Sequence, residues 1–491
     1  MRRVASLAEV LAADAAATAA VGEATLLARA AAAVATAVLR AGVRAYGLRV
    51  TVLAGSGHNG VDAVLAGAAL ARRGAAVTLV RSSDRELDAH GLAALRGLLA
   101  AGGRSAGEPP AGADVVLDGM VGVGGSGGLR GRAVTLAAAV RAPLVVAVDL
   151  PSGVDTDTGA VGPGGAVRAD LTVTFDALKP GLVLGAGPEH AGAVQLADVG
   201  LGLTGRPGPL GVLSDGDVVA LLPLPGPQAD KYTRGVVGLL TGSAHYPGAA
   251  VLGVGGAVRA GAGYVRYLGT AGDAVRAAFP SVVVGEGRCD CYVVGSGLGT
   301  GPAEQERVRA LLATDVPLVL DADGLAVGAD AVRGRRAPTL LTPHAGEFER
   351  LTGVDPRGDP LGSARRAADD LGVTLLLKGL RTVVAAPGGE ARINATGCPW
   401  LSTAGTGDVL GGAAGALLAA LTKAGHDRST LARDAGAAAA HLHGLAGWLA
   451  SDGAPIAADA LLDAWPAAVR SLRLEGPPVG ADTVRSVRST A

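Results

Sequence analysis

The sequence predicts an α/β protein of two domains, each a parallel β-sheet covered by helices in a three-layer sandwich. The chain has 491 residues, which is too many for one ordinary domain. In both halves, short apolar runs alternate with longer stretches rich in Ala and Leu, as in a parallel sheet whose connections are helices. Between the halves, prolines crowd residues 201–230 without sustained periodicity, which is typical of a linker.

These patterns set the expected boundaries and strands. We predict an N-terminal domain over residues 1–210, a proline-rich linker over 211–230 and a C-terminal domain over 231–491. The strands predicted for the N-terminal domain are 49–53, 76–80, 115–117, 144–148 and 171–175. Those predicted for the C-terminal domain are 235–240, 292–294, 318–320, 339–341, 374–377 and 382–385. Because ligands bind beyond the carboxyl ends of strands in open α/β sheets, functional motifs are expected directly after these runs.

Composition excludes several classes of protein. A formal net charge of −1 gives no electrostatic reason to expect nucleic acid or an anionic membrane as a partner. The longest uncharged apolar run, residues 409–421, falls short of the ~20 residues that a membrane span needs. Glu9, Asp14 and Glu23 interrupt the N-terminal apolar region before it could serve as a signal peptide. The three cysteines fit neither a disulfide framework nor a zinc site, so we expect a cytoplasmic protein.

Four motifs follow predicted strands of the C-terminal half. They carry glycines that let the backbone approach a ligand, a pair of carboxylates, a His with a Glu, and a lysine that can pair with phosphate. In chain order they are Gly295-Ser296-Gly297-Leu298-Gly299, Asp321-Ala322-Asp323, Pro343-His344-Ala345-Gly346-Glu347 and Lys378-Gly379-Leu380-Arg381-Thr382. Each has an ordinary structural alternative, namely a tight turn, a helix cap or a surface lysine.

The most informative motif is Gly405-Thr406-Gly407-Asp408, which precedes an apolar, Ala-rich run that predicts a helix. A glycine turn at a helix N-terminus directs free backbone amides at an anion such as a phosphoryl group. Asp408 would stand at the mouth of this anion hole, where it can accept a proton from a substrate hydroxyl. The alternative is that Asp408 only caps the helix.

This ordered series resembles the ribokinase-like superfamily, and more closely the ADP/ATP-dependent NAD(P)H-hydrate dehydratases, over residues 230–465. The resemblance implies a ribokinase-like three-layer sandwich. It implies that the residues contacting the nucleotide are Lys378, Gly379, Leu380, Arg381, Thr382 and Gly407. The residues implied to face the hydrated dinucleotide are Gly297, His344 and Asp408, with Asp408 as catalytic base. One departure is visible, because Asp230-Lys231-Tyr232 stands where the family has a His-Lys-Gly entry.

The N-terminal half has its own glycine loop and acidic strand ends. Its motifs are Gly55-Ser56-Gly57-His58-Asn59-Gly60-Val61-Asp62, Asp118 with the glycines of 122–128, and Asp149-Leu150-Pro151-Ser152-Gly153-Val154-Asp155. Together they resemble the NAD(P)H-hydrate epimerase domain over residues 1–205 and imply a Rossmann-like three-layer sandwich. The resemblance makes Asp149 the acid/base for inversion at ring carbon 6 and gives a potassium ion to Asn59, Asp118 and Ser152. The implied substrate contacts, besides Asp149, are His58, Asn59, Gly60, Val61, Asp62, Gly122, Val123, Gly124, Gly125, Ser126, Gly127 and Gly128.

The glycine loop departs from the family pattern Asn-Asn-Gly-Gly-Asp-Gly. Val61 and Ala63 stand in place of two glycines. Either would be strained by about 1 kcal/mol or more if its backbone had to take φ > 0, and its Cβ could block an approaching phosphate. We therefore expect a weakened epimerase as one outcome.

The resemblance as a whole predicts repair of hydrated NADH and NADPH (NADHX and NADPHX), by dehydration in the C-terminal domain and epimerisation in the N-terminal domain. It implies ADP or ATP with Mg²⁺, with ADP favoured, and K⁺ in the epimerase domain. We expect a homo-oligomer. Two other interpretations stay open: a ribokinase-like small-molecule kinase, and an N-terminal domain that binds ligand without turnover.

Overall fold

The computed structural model describes residues 1–125, 127–222, 225 and 227–474. The chain divides into two units, one formed by Arg2–Gly208 and the other beginning at Pro209. No single helix in this described part has the length and apolar composition to cross a membrane; α1 and α2, bent by 114° at their junction, meet that test only as a pair.

The N-terminal unit contains strands and helices in alternation. Its strands are β1 (Arg2–Arg3), β2 (Arg49–Ala54), β3 (Ala76–Arg81), β4 (Arg104–Ala106), β5 (Val115–Gly119), β6 (Leu144–Val148), β7 (Leu171–Phe175) and β8 (Ala193–Ala197). Its helices are α1 (Leu7–Val21), α2 (Glu23–Arg40), α3 (His58–Ala71), α4 (Ala89–Ala100), α5 (Arg132–Ala139) and α6 (Gly187–Ala191). The sheet is parallel with strand order β4-β3-β2-β5-β6-β7-β8.

Both faces of this sheet are covered. On β5, Val115 and Leu117 pack with α2, α3 and α4, whereas Val116 packs with α5. Because successive strand residues point to opposite faces, the two clusters lie on opposite sides of the sheet. The unit is therefore a three-layer sandwich of the Rossmann-like kind that the sequence predicts.

The C-terminal unit contains a second, mixed sheet. Its strands are β9 (Leu210–Val212), β10 (Val236–Leu240), β11 (Tyr264–Tyr267), β12 (Val283–Val284), β13 (Cys291–Val294), β14 (Leu318–Leu320), β15 (Thr339–Leu341), β16 (Thr374–Leu377), β17 (Val383–Ala385) and β18 (Ala391–Ile393). Its helices are α7 (Asp215–Leu221), α8 (Pro247–Arg259), α9 (Gly272–Ala278), α10 (Pro302–Leu312), α11 (Ala329–Val332), α12 (Ala345–Thr352), α13 (Pro360–Leu371), α14 (Thr406–Lys423), α15 (Leu431–Ser451) and α16 (Ala460–Leu474). The strand order is β9-β18-β17-β16-β15-β14-β13-β10-β11-β12.

The hairpin β16–β17 differs from the all-parallel sheet that the sequence predicts. Strands β16, β17 and β18 pair antiparallel. Only residues 378–382 separate β16 from β17, and so short a connection cannot carry the crossover that a parallel pair needs. The predicted nucleotide-binding motif Lys378–Thr382 is consequently a hairpin turn at the carboxyl end of β16.

The interpretation of 211–230 as a linker is wrong for its first half. Strand β9 begins at Leu210 and pairs parallel with β18, where Leu210 lies opposite Ala391. Helix α7 follows, capped by the Ser214 hydroxyl, which accepts a hydrogen bond from the amide of Asp217. The prolines that suggested a linker crowd the end of this stretch, so sheet pairing at β9 overrides the local composition.

Helices α8 and α14 pack unusually closely, and this packing fixes the start of α14. A Cβ placed on Gly412 would lie 1.9 Å from the carbonyl oxygen of Gly253, and one on Gly256 would lie 2.2 Å from that of Val409. Only glycine allows such contacts between helix backbones. The N-terminus of α14 is therefore held rigidly beside the sheet.

Candidate active sites

The predicted motifs of the C-terminal unit gather at one edge of its sheet. Strands β10, β13, β14, β15 and β16 run parallel and are neighbours, so their carboxyl ends meet at the same edge. Lys378, Asp321 and His344 each lie within three residues of such a strand end. The segment Asp230-Lys231-Tyr232, which differs from the family sequence, precedes β10 and so lies toward the opposite edge of the sheet. The departure from the family entry does not touch this site.

The Gly405-Thr406-Gly407-Asp408 turn opens α14 as predicted. Gly405 has φ of 93°, a left-handed conformation that favours glycine, and α14 begins at Thr406. The amides of Asp408 and Val409 donate to the carbonyl of Gly405. Among the described residues, the amide of Gly407 has no backbone acceptor, which leaves it available to an anion at the helix N-terminus.

Buried His443 on α15 contacts the backbone of this turn. Its Nε2 lies 2.9 Å from the carbonyl oxygen of Thr406. Burial lowers the pKa of His443 to about 4, so the ring is neutral near pH 7. A neutral ring that contacts a carbonyl through Nε2 carries its proton there and donates it. His443 has no counterpart among the sequence predictions.

Lys378 is the cation of the site. Its Nζ lies 2.7 Å from Oδ1 of Asp321 and 3.6 Å from Oε2 of Glu347. Burial alone would lower the pKa of Lys378, but the two carboxylates outweigh it and the net direction is upward. A Cβ on Gly407 would lie 3.6 Å from this Nζ. The ammonium therefore stands charged beside the glycine turn, where a phosphate would meet both.

Asp408 lies in the first turn of α14 and is half-buried. Burial raises its pKa to about 6, and the negative charge of Asp321 adds to the effect. The Ser296 hydroxyl and the charge of Lys378 act in the opposite direction. Such a carboxylate is ionised at pH 7 yet basic enough to accept a proton.

His344 caps α12 at the same edge. Its Nδ1 accepts from the amides of Gly346 and Glu347, while the Glu347 carboxylate accepts from the amide of His344. Its ring is largely exposed, with Nε2 3.3 Å from Oε1 of Glu347. Gly297, the other predicted substrate contact, has φ of 63°, and a Cβ there would lie 2.8 Å from that of Ala249. Nothing larger than glycine fits at 297.

The rest of the hairpin turn is partly exposed. The Thr382 hydroxyl donates to the carbonyl of Gly379, and Nη1 of Arg381 donates to the carbonyl of Ala395. The side chain of Leu380 is exposed. The five residues of this predicted nucleotide motif thus form one braced loop that projects from the sheet edge.

In the N-terminal unit, the predicted glycine loop joins β2 to α3. A Cβ on Gly60 would lie 2.2 Å from the carbonyl oxygen of Gly55, and one on Gly55 would lie 2.0 Å from that of Met120. These two glycines are required by the close approach of backbones. His58 and Asn59 form the first turn of α3, with His58 exposed and its Nε2 2.7 Å from Oε1 of Glu23.

The expectation of strain at Val61 and Ala63 is wrong. Both lie inside α3, and neither is among the non-glycine residues with positive φ. Their side chains are 3% and 0% exposed and belong to the core cluster of the unit. Helix α3 includes both positions, so the two Cβ atoms pack in the core of the unit without backbone strain.

Asp118 and Ser152 lie together at the ends of β5 and β6. The Ser152 hydroxyl donates to Oδ1 of Asp118 at 2.6 Å, and the Ser152 amide donates to Oδ2 at 2.8 Å. Burial raises the pKa of Asp118 to about 6, against these hydrogen bonds. Asn59 lies beside them, since a Cβ on Gly122 would approach its side chain to 2.9 Å. The three predicted cation ligands are thus brought to one place.

Asp149 follows β6 in a left-handed conformation, with φ of 63°. Its Oδ1 accepts from Nζ of Lys179 at 2.5 Å and from the Thr174 hydroxyl at 2.9 Å. Lys179 is fully buried. Asp62 is buried as well, and its Oδ1 has no hydrogen-bond partner in the described part of the chain. Burial together with the charge of Asp149 holds the pKa of Asp62 well above its usual range.

The loop 122–128 lies next to this cluster. The Val123 carbonyl accepts from the buried Thr156 hydroxyl, and Gly127 and Gly128 have φ of 76° and 82°. Gly124 and Gly125 complete the described part of the loop, while Ser126 lies outside the described residues. Apart from Ser126, the predicted substrate contacts of this half therefore lie at or after the carboxyl ends of the neighbouring parallel strands β2, β5 and β6.

The comparisons with known proteins agree with this division into two units. Residues 237–466 match the family model described as NAD(P)H-hydrate dehydratase, and residues 23–181 match that of the YjeF-related protein N-terminus. A bifunctional NAD(P)H-hydrate repair enzyme of Mycobacterium tuberculosis is 49% identical over 383 residues, covering 76% of this chain and 79% of that protein. The one from Mycobacterium leprae is 45% identical over 434 residues, covering 86% and 90%.

A solved structure is also similar to the C-terminal unit. The ADP/ATP-dependent NAD(P)H-hydrate dehydratase from Bacillus subtilis, co-crystallized with ATP/Mg²⁺, is 29% identical, with a TM-score of 0.49 and coverage of 53% of this chain and 98% of its own. The two family models together span most of the chain, and the mycobacterial relatives exceed two thirds coverage. The chain belongs to the family of bifunctional NAD(P)H-hydrate repair enzymes.

Proposed function

We propose that this chain repairs hydrated nicotinamide cofactors at two separate sites. The C-terminal unit dehydrates S-NAD(P)HX to NAD(P)H at the expense of a nucleotide, and the N-terminal unit interconverts R- and S-NAD(P)HX. The observation that carries the first activity is the position of Nζ of Lys378 at the Gly407 turn, on the helix that bears Asp408. A fixed cation, a helix N-terminus and a base meet there.

Each of these groups has a role in the dehydration. The hydroxyl on ring carbon 6 is a poor leaving group, and Asp408 accepts its proton as the oxygen attacks the terminal phosphoryl group of the nucleotide. Lys378 and the Gly407 amide stabilise the charge on the transferring group. The ring nitrogen then expels phosphate, and loss of a proton from the adjacent carbon restores the dihydronicotinamide. A pKa of about 6 leaves Asp408 ionised for this task at pH 7.

The epimerisation is assigned to the sheet edge at which Asp149 follows β6. Inversion at carbon 6 requires the hydroxyl to leave as water and water to return to the opposite face of the ring. Asp149, held in place by Lys179, is the base that takes the proton of the returning water. Asp62, whose raised pKa favours the protonated form, can supply a proton to the departing hydroxyl.

The cluster around Asp118 fits a potassium ion. Carboxylate and hydroxyl oxygens are offered by Asp118 and Ser152, and the Val121 carbonyl lies 3.2 Å from the Ser152 hydroxyl. Among the described residues, Nδ2 of Asn59 is buried without a hydrogen-bond partner. As an N–H donor it suits an oxygen atom of the substrate, and the amide oxygen of Asn59 is the atom that would face the cation. A cation there would attract the phosphates of the substrate. Mg²⁺ would enter with the nucleotide, and no residue of this chain is assigned to it.

Three finer points belong to the same proposal. The resemblance to prokaryotic bifunctional proteins favours ADP over ATP as the phosphoryl donor. We propose a homo-oligomer as well. The reduced state of the three cysteines, which are all free and buried, suits a cytoplasmic location.

Absorbance at 340 nm tests the whole proposal with the intact chain. The protein is mixed with a known ratio of R- and S-NADHX, K⁺ and Mg²⁺, and ADP and ATP are supplied in separate reactions. We expect absorbance to rise to the level of the entire mixture, faster than spontaneous epimerisation, and faster with ADP. A rise that stops at the S fraction would contradict the epimerase, and no rise with either nucleotide would contradict the dehydratase.

A further inference from the structure

Asp321 lies at the centre of the dehydratase site, although neither the sequence motifs nor the family resemblance gives it a role. It follows β14, the strand at the middle of the site edge, and only 2% of it is exposed. Its carboxylate makes two contacts with other strand ends. Oδ1 accepts from Nζ of Lys378 at 2.7 Å, and Oδ2 accepts from the Ser296 hydroxyl at 3.2 Å.

The backbone of Asp321 is held too tightly for the carboxylate to move away. Its amide donates to the carbonyl of Val294, and its carbonyl accepts from the amide of Gly324. A Cβ on Gly295 would lie 2.0 Å from the Asp321 carbonyl oxygen. Oδ2 also lies 3.9 Å from where a Cβ on Gly411 would stand, so the carboxylate rests against the first turns of α14.

The charges around Asp408 come from several elements. Asp321 follows β14, Lys378 follows β16, and Asp323 stands in the turn after Asp321. After burial, the charge of Asp321 is the largest contribution to the raised pKa of Asp408, while Lys378 opposes it. The charge of Asp321 therefore acts on Asp408 through space. Asp321 also binds the ammonium of Lys378, whose charge has the opposite effect on the pKa of Asp408.

We propose that Asp321 is a positioning residue of the dehydratase, which holds the Lys378 ammonium at the Gly407 turn and tunes the proton affinity of Asp408. This inference rests on the proposed dehydratase function and deepens it. One buried carboxylate couples nucleotide binding to the strength of the base. Removing its charge should alter both properties, whereas an ordinary structural residue would alter neither selectively.

The variant Asp321→Asn tests this proposal because it keeps the size and an acceptor oxygen but removes the charge. We expect the KM for the nucleotide to rise by about tenfold or more, since Lys378 loses its nearest carboxylate. In the wild type we expect an acidic limb of the kcat against pH profile near pH 6, from the pKa of Asp408, and in the variant we expect this limb at lower pH.

Two further variants separate the alternatives. Glu347→Gln removes the other carboxylate near Lys378, which is not among the groups that raise the pKa of Asp408, so it should weaken nucleotide binding without moving the acidic limb. Ser296→Ala removes the hydrogen bond that the hydroxyl donates to Oδ2 of Asp321. The Asp321 charge is then less neutralised and should act more strongly on Asp408, so the limb should move to higher pH. If Asp321→Asn does not fold, the Ser296→Ala profile still tests the coupling.

The proposal is overturned if Asp321→Asn leaves the limb in place and the nucleotide KM within about twofold of the wild type. It is also overturned if Ser296→Ala moves the limb downward or not at all. Both outcomes presuppose a wild-type chain that dehydrates S-NADHX. A wild type without that activity would instead contradict the proposed function, so the two failures are distinguishable.

Discussion

The Oδ1 atom of Asp149 lies 2.5 Å from Nζ of Lys179, and both side chains are withdrawn from solvent. Lys179 also donates to the Thr174 hydroxyl and to the Phe175 carbonyl, so all three protons of its ammonium have acceptors. A buried pair satisfied in this way holds its geometry firmly. The pair therefore fixes the carboxylate that the proposed epimerase uses as its base.

Asp149→Asn should abolish epimerisation while leaving dehydration at the wild-type rate. Asparagine tolerates the left-handed backbone of this position, so the turn is preserved. The loss of the charge leaves Lys179 buried without its partner, which should cost about 3–5 kcal/mol of stability. The measurement is the 340 nm endpoint with mixed R- and S-NADHX, which should stop at the S fraction.

A double variant separates the lost base from the lost stability. Asp149→Asn combined with Lys179→Met removes the unpaired ammonium and should recover part of the stability without recovering epimerisation. The Asp408→Asn variant, whose N-terminal site is intact, is then added to the same cuvette. It should convert the remaining R-NADHX to S-NADHX, which the double variant dehydrates, so the absorbance should rise to the level of the whole mixture. Epimerisation by the double variant would show that Asp149 is not the base.

Restoring the family glycine at position 61 should weaken the fold and gain no activity. Val61 is buried in the core of the N-terminal unit, inside α3. Val61→Gly loses the burial of this side chain and places glycine within a helix, for a combined cost of about 2–4 kcal/mol. Thermal unfolding followed by circular dichroism measures the loss, and epimerisation at low temperature measures the activity. A rise in epimerisation would mean that the Val61 side chain does obstruct the loop.

Much of both sites was predictable from the sequence because the motifs follow strands. Runs such as 144–148 and 318–320 predicted strands with the observed bounds, and parallel pairing then brings their carboxyl ends together. The Gly405–Asp408 turn was predictable because glycines followed by an Ala-rich run are compatible with few structures other than a tight turn at the start of a helix. The burial of Val61 inside α3 was not predictable. It depends on packing in the core, which the sequence pattern of a glycine loop does not show.

The supporting roles of two residues escaped prediction for a different reason. Lys179 and His443 act through tertiary contacts, with Asp149 on another strand end and with Thr406 on another helix. A buried lysine or histidine carries no local pattern that distinguishes it from an exposed one. The strand β9 within the predicted linker is a third case, because it is stabilised by pairing with β18, far along the chain.

His443 should make the stability of the C-terminal unit depend on pH. Burial lowers its pKa from 6.5 to about 4 on folding, so between these values the unfolded chain binds a proton that the folded chain does not. Stability is therefore full above pH 6.5 and is lost as pH falls toward 4, by roughly 2 kcal/mol at pH 5. His443→Gln keeps a donor for Thr406 and removes this contribution.

The three tryptophans provide the measurement. Trp400, Trp448 and Trp465 all belong to the C-terminal unit, and Trp465 is fully buried with its ring centroid 6.4 Å from that of His443. Urea unfolding followed by tryptophan fluorescence at pH 7.5 and pH 5 gives the change in stability for each protein. Equal losses in the wild type and in His443→Gln would contradict the assignment of the effect to His443.

Lys378→Gln should weaken nucleotide binding by about 10- to 100-fold, because a charge-assisted hydrogen bond to phosphate contributes about 1.5–3 kcal/mol. The matched control is Lys423→Gln, a lysine at the opposite end of α14. Calorimetric titration with ADP measures both dissociation constants. The same dissociation constant for the two variants would exclude Lys378 from the nucleotide site.

The most direct test of the dehydratase site is the rate at which Asp408→Asn converts pure S-NADHX to NADH with ADP and Mg²⁺, followed at 340 nm. Asp452→Asn, an exposed aspartate at the end of α15 whose left-handed backbone suits asparagine, serves as the control. If Asp408 is the base, its variant loses at least ~10²-fold in kcat, with ADP still bound, and the control is unchanged. Dehydration by Asp408→Asn at a rate near that of the wild type would contradict the assignment of the chemistry to this turn.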